Sequence, residues 1–285
     1  MRSTTDTGTF LTHIIRVGWT KDINTSILAF DIAQFFSLKH NIIPHILTKA
    51  GFDKCITNFF KKYLVGCNTV YMWNNFISPP FPTNVGVSQG SSLSPIFSAL
   101  YLSPIIKIFK KHIKNFNIPL STSLLSYVDD GLFISQEKSL EKTNAILYSS
   151  YNIFVSLLKQ FGLKIEHNKS EVFHFSQLHT FQSPPLNLTK IGGSILNPKP
   201  IWRYLGFFFD RKLTFKHHSH FYAIKAISTI KCMKMLSNSS RGLLPSLKCL
   251  LYRTCILPIA TYGFQLWHFK GAPKFQALKA LNKMQ

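Results

Sequence analysis

With 285 residues, 46% of them hydrophobic and 14% aromatic, the chain has enough apolar material to bury a sizeable core, which excludes a disordered tail. Its 33 Lys and Arg against 11 Asp and Glu give a formal net charge of +22, an imbalance that calls for a polyanionic partner, nucleic acid before any other. The five cysteines are odd in number and form no C-x-x-C pair, so they indicate neither a zinc site nor a disulfide framework and suit a reducing compartment.

No apolar signal core follows Met1, and the most apolar stretches, 92–109 and 243–267, are broken by Pro104 and Lys107 and by Lys248, Arg253 and Pro258, so no membrane span is expected. In chain order, residues Ser26 to Ile32 have the composition of a short buried strand ending near Asp31. The apolar spacing from Ile42 to Tyr63 predicts two helices broken at Gly51, and Cys67 to Pro82 reads as a strand pair. A small-residue loop, Gly86 to Pro95, places Pro95 to open a helix over 96–111. Ser123 to Val128 and Leu132 to Ile134 read as strands around an Asp129-Asp130-Gly131 hairpin tip. A helix follows over Leu140 to Phe161, its apolar stripe expected along Ala145, Ile146, Tyr148, Phe154, Leu157, Leu158 and Phe161, with Gly162 as its stop. Glu171 to Phe175 is expected as a strand, Ile191-Gly192-Gly193 as a hairpin, and Trp202 to Phe209 as a further strand. From His217 the pattern is helical, with a boundary near Thr214. The order describes an α+β domain with an antiparallel sheet, followed by a helical module.

Only 11 acidic residues exist, and Asp31, Asp129 and Asp130 stand at the ends of otherwise apolar strands, where isolated charge is costly. Phosphoryl transfer to a hydroxyl uses two divalent cations roughly 3.5–4 Å apart, and such hard cations select carboxylate oxygens. Asp31 and Asp129 are the candidates to bridge that pair, with Asp130 a third, weaker contributor; the bland reading makes Asp130-Gly131 a turn and Asp31 a cap. Gly90 permits close backbone approach to a substrate and Gln89 offers an amide, although a plain helix-leading loop has the same composition. Lys169 is placed to protonate a departing pyrophosphate or stabilise its charge, against the ordinary role of a solvated lysine. The histidines His174, His179, His217, His218 and His220 are too loosely spaced for a metal cluster and take no role.

Five segments in order carry a resemblance: Phe30-Asp31-Ile32-Ala33-Gln34-Phe35-Phe36; Gly86 to Pro95; Tyr127-Val128-Asp129-Asp130; Gly162 to Glu171; and Tyr204-Leu205-Gly206. The series resembles the motifs of reverse transcriptases, those of non-LTR retrotransposons above all. The resemblance implies a right-hand polymerase palm of ferredoxin-like type over 30–214, a residual fingers segment over 1–29 and a helical thumb over 215–285. It implies two Mg²⁺ ions, with Mn²⁺ as a substitute, on Asp31, the Ile32 carbonyl, Asp129 and Asp130. Phe36 matches the aromatic gate that excludes a ribose 2′-hydroxyl, Gln89 and Gly90 the nucleotide pocket with Tyr127 beside it, Lys169 the lysine near the pyrophosphate, and Tyr204, Leu205 and Gly206 the primer-gripping hairpin.

The expected reaction is RNA-directed DNA synthesis on a primer 3′-hydroxyl, with an RNA template, a DNA primer and deoxynucleoside triphosphates as partners, in an intracellular setting, nuclear or cytoplasmic. Ser37-Leu38 follow Phe36 where the family often has a proline-serine pair, which implies a one-residue deletion beside the site, and most of the family's basic fingers precede this chain's first residue, so a fragment of a longer element is expected. Two other readings compete: a catalytically inactive remnant that retains nucleic-acid binding, and a basic scaffold without a site, which alone predicts no response to Mg²⁺.

Overall fold

The computed structural model describes residues 3–33, 35–87, 90–115, 122–177, 185–187, 195–233 and 242–268. Helix α1 (Thr4–Trp19) begins where the Ser3 hydroxyl accepts the Asp6 N–H at 3.0 Å, and it continues into β1 (Asn24–Ala33). No helix is expected there from the hydrophobic pattern, because α1 buries a face of Thr7, Gly8 and Thr12 around only two large side chains, Leu11 and Ile15. Helices α2 (Ile43–Lys49) and α3 (Lys54–Tyr63) follow, separated at Gly51 as the sequence predicts. The expected strand pair resolves into two nested antiparallel pairs: β2 (Asn68–Thr69), β3 (Met72–Trp73), β4 (Phe76–Ile77) and β5 (Phe81–Pro82), with β2 on β5 and β3 on β4.

Helix α4 (Ser94–Asn115) leads to β6 (Ser123–Tyr127), β7 (Asp130–Glu137) and helix α5 (Leu140–Gln160). Then come β8 (Lys164–Ile165), a single 3-10 turn His167–Lys169, β9 (Glu171–Phe175) and the short pair β10 (Leu186–Asn187) and β11 (Ile195–Leu196). A hairpin of β12 (Ile201–Tyr204) and β13 (Phe207–Asp210) precedes helix α6 (Lys216–Met233), α7 (Pro245–Leu251), a π-helical turn Tyr252–Ile256, α8 (Leu257–Ala260) and α9 (Phe264–Trp267). Among the described residues no helix is long and apolar enough to cross a membrane.

Three sequence expectations are corrected. Residues 202–209 form a hairpin turning at Leu205-Gly206, as the resemblance implies, and not the single strand read from the apolar run, because Leu205 and Gly206 both adopt positive φ (48° and 82°), the combination of a tight two-residue turn. The β6–β7 turn is Val128-Asp129, closed by the Tyr127–Asp130 pair, so Asp130 and Gly131 belong to β7 and only Asp129 is at the tip. The α5 stripe keeps the expected Phe154, Leu157 and Leu158 but runs on through Leu147, Tyr151 and Val155, leaving Ala145 exposed and Ile146 and Tyr148 half-buried. The expected hairpin at 191–193 lies outside the described residues.

All pairing in the main sheet is antiparallel, in the order β6-β7-β1-β8, with β9 also on β1. Side chains alternate along β1, so Leu28, Phe30 and Ile32 join a core with α4 and α5, while Ile27 joins Leu11, Ile15 and the aromatics Trp202, Phe207 and Phe209 on the other face. The sheet is therefore buried on both sides. Tyr222 and Tyr262 tie the helical segment to the hairpin by donating to the Gly206 carbonyl (2.9 Å) and the Leu205 carbonyl (2.8 Å). His218, buried between them, donates from Nε2 to the Tyr262 carbonyl at 2.9 Å and accepts the Phe208 N–H on Nδ1 at 3.3 Å.

Phe30 lies across Gly131, stacked on Phe133 with centroids 4.9 Å apart, and a Cβ at residue 131 would meet its Cζ at 2.1 Å. Gly131→Ala is expected to cost about 3 kcal/mol in chemical denaturation, and adding Phe30→Leu should recover part of that loss. For His218, burial pushes the imidazole pKa down by disfavouring the charged ring, with the Tyr262 carbonyl acting in the opposite direction. The unfolded chain then binds the proton more readily, so wild type should lose stability as pH falls through about 6.5, and the His218→Gln variant should lack that part of the slope in unfolding measured from pH 8 to 5.

Candidate active site

The register of β1 on β7 sets Asp31 directly opposite Asp130 on the face of the sheet that also carries Leu132 and Ile134. The Ile32 N–H donates to the Asp129 carbonyl at 3.3 Å, which draws the β6–β7 turn against the end of β1. Val128 carries the turn with φ 58°, an uncommon conformation for a β-branched residue that costs of order 1–3 kcal/mol and is held by the pairing on either side. Three carboxylates converge at this edge. Burial first, then the charges of Asp129 and Asp31, push the Asp130 carboxyl up to about 6, with Lys169 acting in the opposite direction.

On its other edge β1 pairs with β8 through Ile32–Ile165 and Ala33–Lys164, and the Glu166 N–H donates to the Asp31 carbonyl at 2.9 Å. That contact launches the 3-10 turn that delivers Lys169, whose Nζ lies 2.6 Å from Asp31 Oδ2. Asp31, through this bond and its charge, raises the Lys169 pKa. The turn is braced from below by the buried Tyr151, whose hydroxyl is 2.6 Å from His167 Nδ1.

A cavity of about 640 Å³ opens here, and Asp31, Ile32, Phe36, Asp129 and Lys169 all line it, with Glu166 and Lys164 beside them. Phe36 is half-buried against Phe35 (centroids 5.8 Å, 67° between planes), and its carbonyl accepts the Val87 N–H at 2.9 Å. The approach to the Gly86–Pro95 loop is thus hydrogen-bonded to the segment after β1. Gly90 has φ 95°, a conformation that favours glycine, but stands outside the cavity lining, and Gln89 lies outside the described residues.

Asp130 and Tyr127 share the sheet face of Asp31 but stand to one side of the cavity. Neither lines the cavity; both lie near Tyr204, which stacks on Trp202 with centroids 5.1 Å apart and planes within 9°. The Tyr204 hydroxyl is buried with no hydrogen-bond partner among the described residues, and its pKa is raised by burial, then by Asp130 and Tyr127. Leu205 and Gly206 face the helical segment through Tyr262 and Tyr222. Of the sequence candidates, the fold gathers Asp31, Ile32, Phe36, Asp129 and Lys169 around one cavity and leaves Asp130, Tyr127 and the Tyr204–Gly206 hairpin on its flank. Tyr151, Glu166, Tyr222 and Tyr262 were missed, and no local motif marks them, since each acts through a contact distant in sequence. His174 is buried on Ser26 Oγ at 2.7 Å, consistent with a structural histidine.

Among the described residues no group of three or more His, Cys, Asp and Glu is arranged to hold a metal ion. The chemistry of the donors still suits a hard divalent cation: they are carboxylates, crowded enough to raise Asp130, and an ammonium group sits where a cation would neutralise Asp31.

Residues 1–209 match the family described as reverse transcriptase (RNA-dependent DNA polymerase), and the chain belongs to it. Among individual proteins it is similar to the probable RNA-directed DNA polymerase from transposon BS of Drosophila melanogaster, 22% identical over 224 residues, which are 78% of this chain and 24% of that one. It also resembles the polymerase from the mobile element jockey (22% identity, 70% of this chain, 21% of that one) and the probable polymerase from transposon X-element (24% identity, 90% and 27%), both of the same fly. The chain thus spans about a quarter of the length of these relatives. The structure of apo telomerase from Candida Tropicalis aligns with all of this chain and 55% of its own, at 14% identity and a TM-score of 0.54, and the fold is the right-hand polymerase fold.

Because the Tyr204 hydroxyl forgoes a partner in a buried position, Tyr204→Phe is expected to leave the fold intact and raise stability by about 1 kcal/mol in urea unfolding.

Proposed function

We propose that this chain is the polymerase module of an RNA-templated DNA polymerase, which extends a DNA primer on an RNA template using deoxynucleoside triphosphates. The observation that carries the reading is the opening of Asp31, Asp129 and Lys169 onto one cavity in a chain of the reverse transcriptase family. In this reading residues 30–214 are the palm, 215–285 the thumb and 1–29 a fingers remnant, with β1 spanning the first boundary.

Asp31, Asp129 and the Ile32 carbonyl, with Asp130 adjoining, would hold two divalent cations, Mg²⁺ or Mn²⁺, which when bound would supply charge neutralisation and activation of the primer hydroxyl. Phe36, on the wall of the cavity, stands as the gate that rejects a ribose 2′-hydroxyl. Gln89 and Gly90, with Tyr127 beside them, shape the nucleotide pocket. As the primer 3′-oxygen bonds to the α-phosphorus and loses its proton to solvent, Lys169, released from Asp31, gives a proton from Nζ to the pyrophosphate oxygen whose bond to that phosphorus breaks. Tyr204, Leu205 and Gly206 hold the primer end, and their backbone is fixed for that task by Tyr222 and Tyr262.

A second reading, an inactive remnant that only binds nucleic acid through its basic faces, draws support from the Lys169–Asp31 ion pair, which ties up one of the proposed ligands. Primer extension on poly(rA)/oligo(dT) with Mg²⁺ or Mn²⁺ separates the two. Asp129→Ala is expected to lower the rate by about 10³-fold, the equivalent of several kcal/mol, and Asp130→Ala by less. A folded wild-type chain that binds the primer–template yet adds no nucleotide would leave the remnant reading in place.

A further inference from the structure

Beyond the carboxylate site, the molecule has a second cavity of about 820 Å³, formed by the segment after β1, the end of α3 and the approach to the Gly86–Pro95 loop. Lys39, His40, His45 and Lys61 line it, together with apolar surface from Pro44 and Val85, and among the described residues no acidic side chain does. Neither Lys39 nor Lys61 takes part in an ion pair among the described residues. His40 is fixed by a hydrogen bond from Nε2 to the Gly86 carbonyl, and its Nδ1 is buried without a partner among the described residues. Two exposed ammonium groups around a partly apolar hollow form a positive concavity with no acidic side chain among its described lining residues.

The two cavities adjoin. Gly162 lines the first, and an added Cβ there would lie 3.1 Å from Lys39 Cε and 3.4 Å from Lys39 Nζ, so the side chain of Lys39 forms a shared rim. A volume of this size accepts one flattened nucleotide unit, and an apolar wall with basic groups at its mouth is how unpaired strands are held: base on the wall, phosphates on the cations.

We propose that this second cavity binds single-stranded nucleic acid, with the phosphates of one or two nucleotides on Lys39 and Lys61 and a base against Pro44 and Val85. The identification of that strand as the unpaired template rests on the polymerase reading; the binding itself does not. The charge is local, and a single strand loses about 0.7 in the slope of log affinity against log salt for each phosphate contact removed.

The test is fluorescence anisotropy of the intact chain with a labelled twelve-residue oligouridine, without metal or nucleotide, across a salt series. Lys39→Gln combined with Lys61→Gln should reduce the salt slope by about 1.4 and weaken binding about ten-fold at 0.1 M salt. Lys110→Gln with Lys111→Gln, on the exposed side of α4, removes the same charge elsewhere and should have a clearly smaller effect. All four lysines are exposed, so folding is retained and is verified by circular dichroism. Sodium tripolyphosphate as a competitor presents the charge without base or sugar. An unchanged slope in the Lys39/Lys61 variant, an equal effect from the Lys110/Lys111 pair, or loss of tripolyphosphate binding with oligouridine binding intact would each overturn the proposal. Since the assay needs no catalysis, its failure and a failure of primer extension are independent results.

Discussion

Strand β1 exchanges hydrogen bonds with β7 along one edge and with β9 and β8 along the other, and every group in the carboxylate site is placed by that double pairing. Asp31 meets Asp130 because the β1–β7 register runs without interruption from Asn24–Glu137 to the end of the strand. A slip of one residue would exchange the two faces of β1, driving Phe30 out of the α4 and α5 core into the layer packed by the β12–β13 hairpin and turning Asp31 toward the core that Phe30 had left. The register is held by the packing of Phe30 into the space above Gly131, which no other residue type leaves open.

Burial on both faces gives this strand its rigidity and explains how it can carry charge at one end. Phe30, Phe109, Phe133 and Phe154 interlock on the α4 and α5 side, and Phe173, Trp202 and Phe209 on the hairpin side. The carboxylates lie where this packing stops. Asp130 feels the edge of it, and burial is the largest cause of its raised pKa. The hairpin of β12 and β13 closes the second face and is itself tied to the following helices by two tyrosine hydroxyls, so the site, the hairpin and the helical segment form a continuous chain of contacts.

Charge is distributed unevenly around this frame. The chain has three times as many basic as acidic residues, yet three of its few acids meet at one sheet edge. Lys169 partly offsets them in the cavity, while Lys39 and Lys61 face a neighbouring hollow with no acid among its described lining residues. An acidic centre beside a basic channel is an arrangement that attracts cations to one point and phosphates to the surface around it.

The sequence by itself determined the kind of fold and the identity of the central residues. Period-two apolar runs, the Gly51 and Gly162 breaks and the acids at strand ends each express a rule that acts within a few residues, and they marked β1, α2, α3, α5, β9 and the aspartates. Where the local signal was ambiguous it misled: Asp130-Gly131 has turn composition but enters β7, and Leu205-Gly206 sits in an apolar run but turns it. Helix α1 escaped notice because small and polar residues form most of its buried face. Only the tertiary structure decided that Asp31 and Asp129 share a cavity while Asp130 stands to one side of it near Tyr204, that Lys169 rests on Asp31 across 138 positions, and that Lys39 borders two cavities. Those relations depend on register and on packing between distant segments, and no spacing along the chain encodes them.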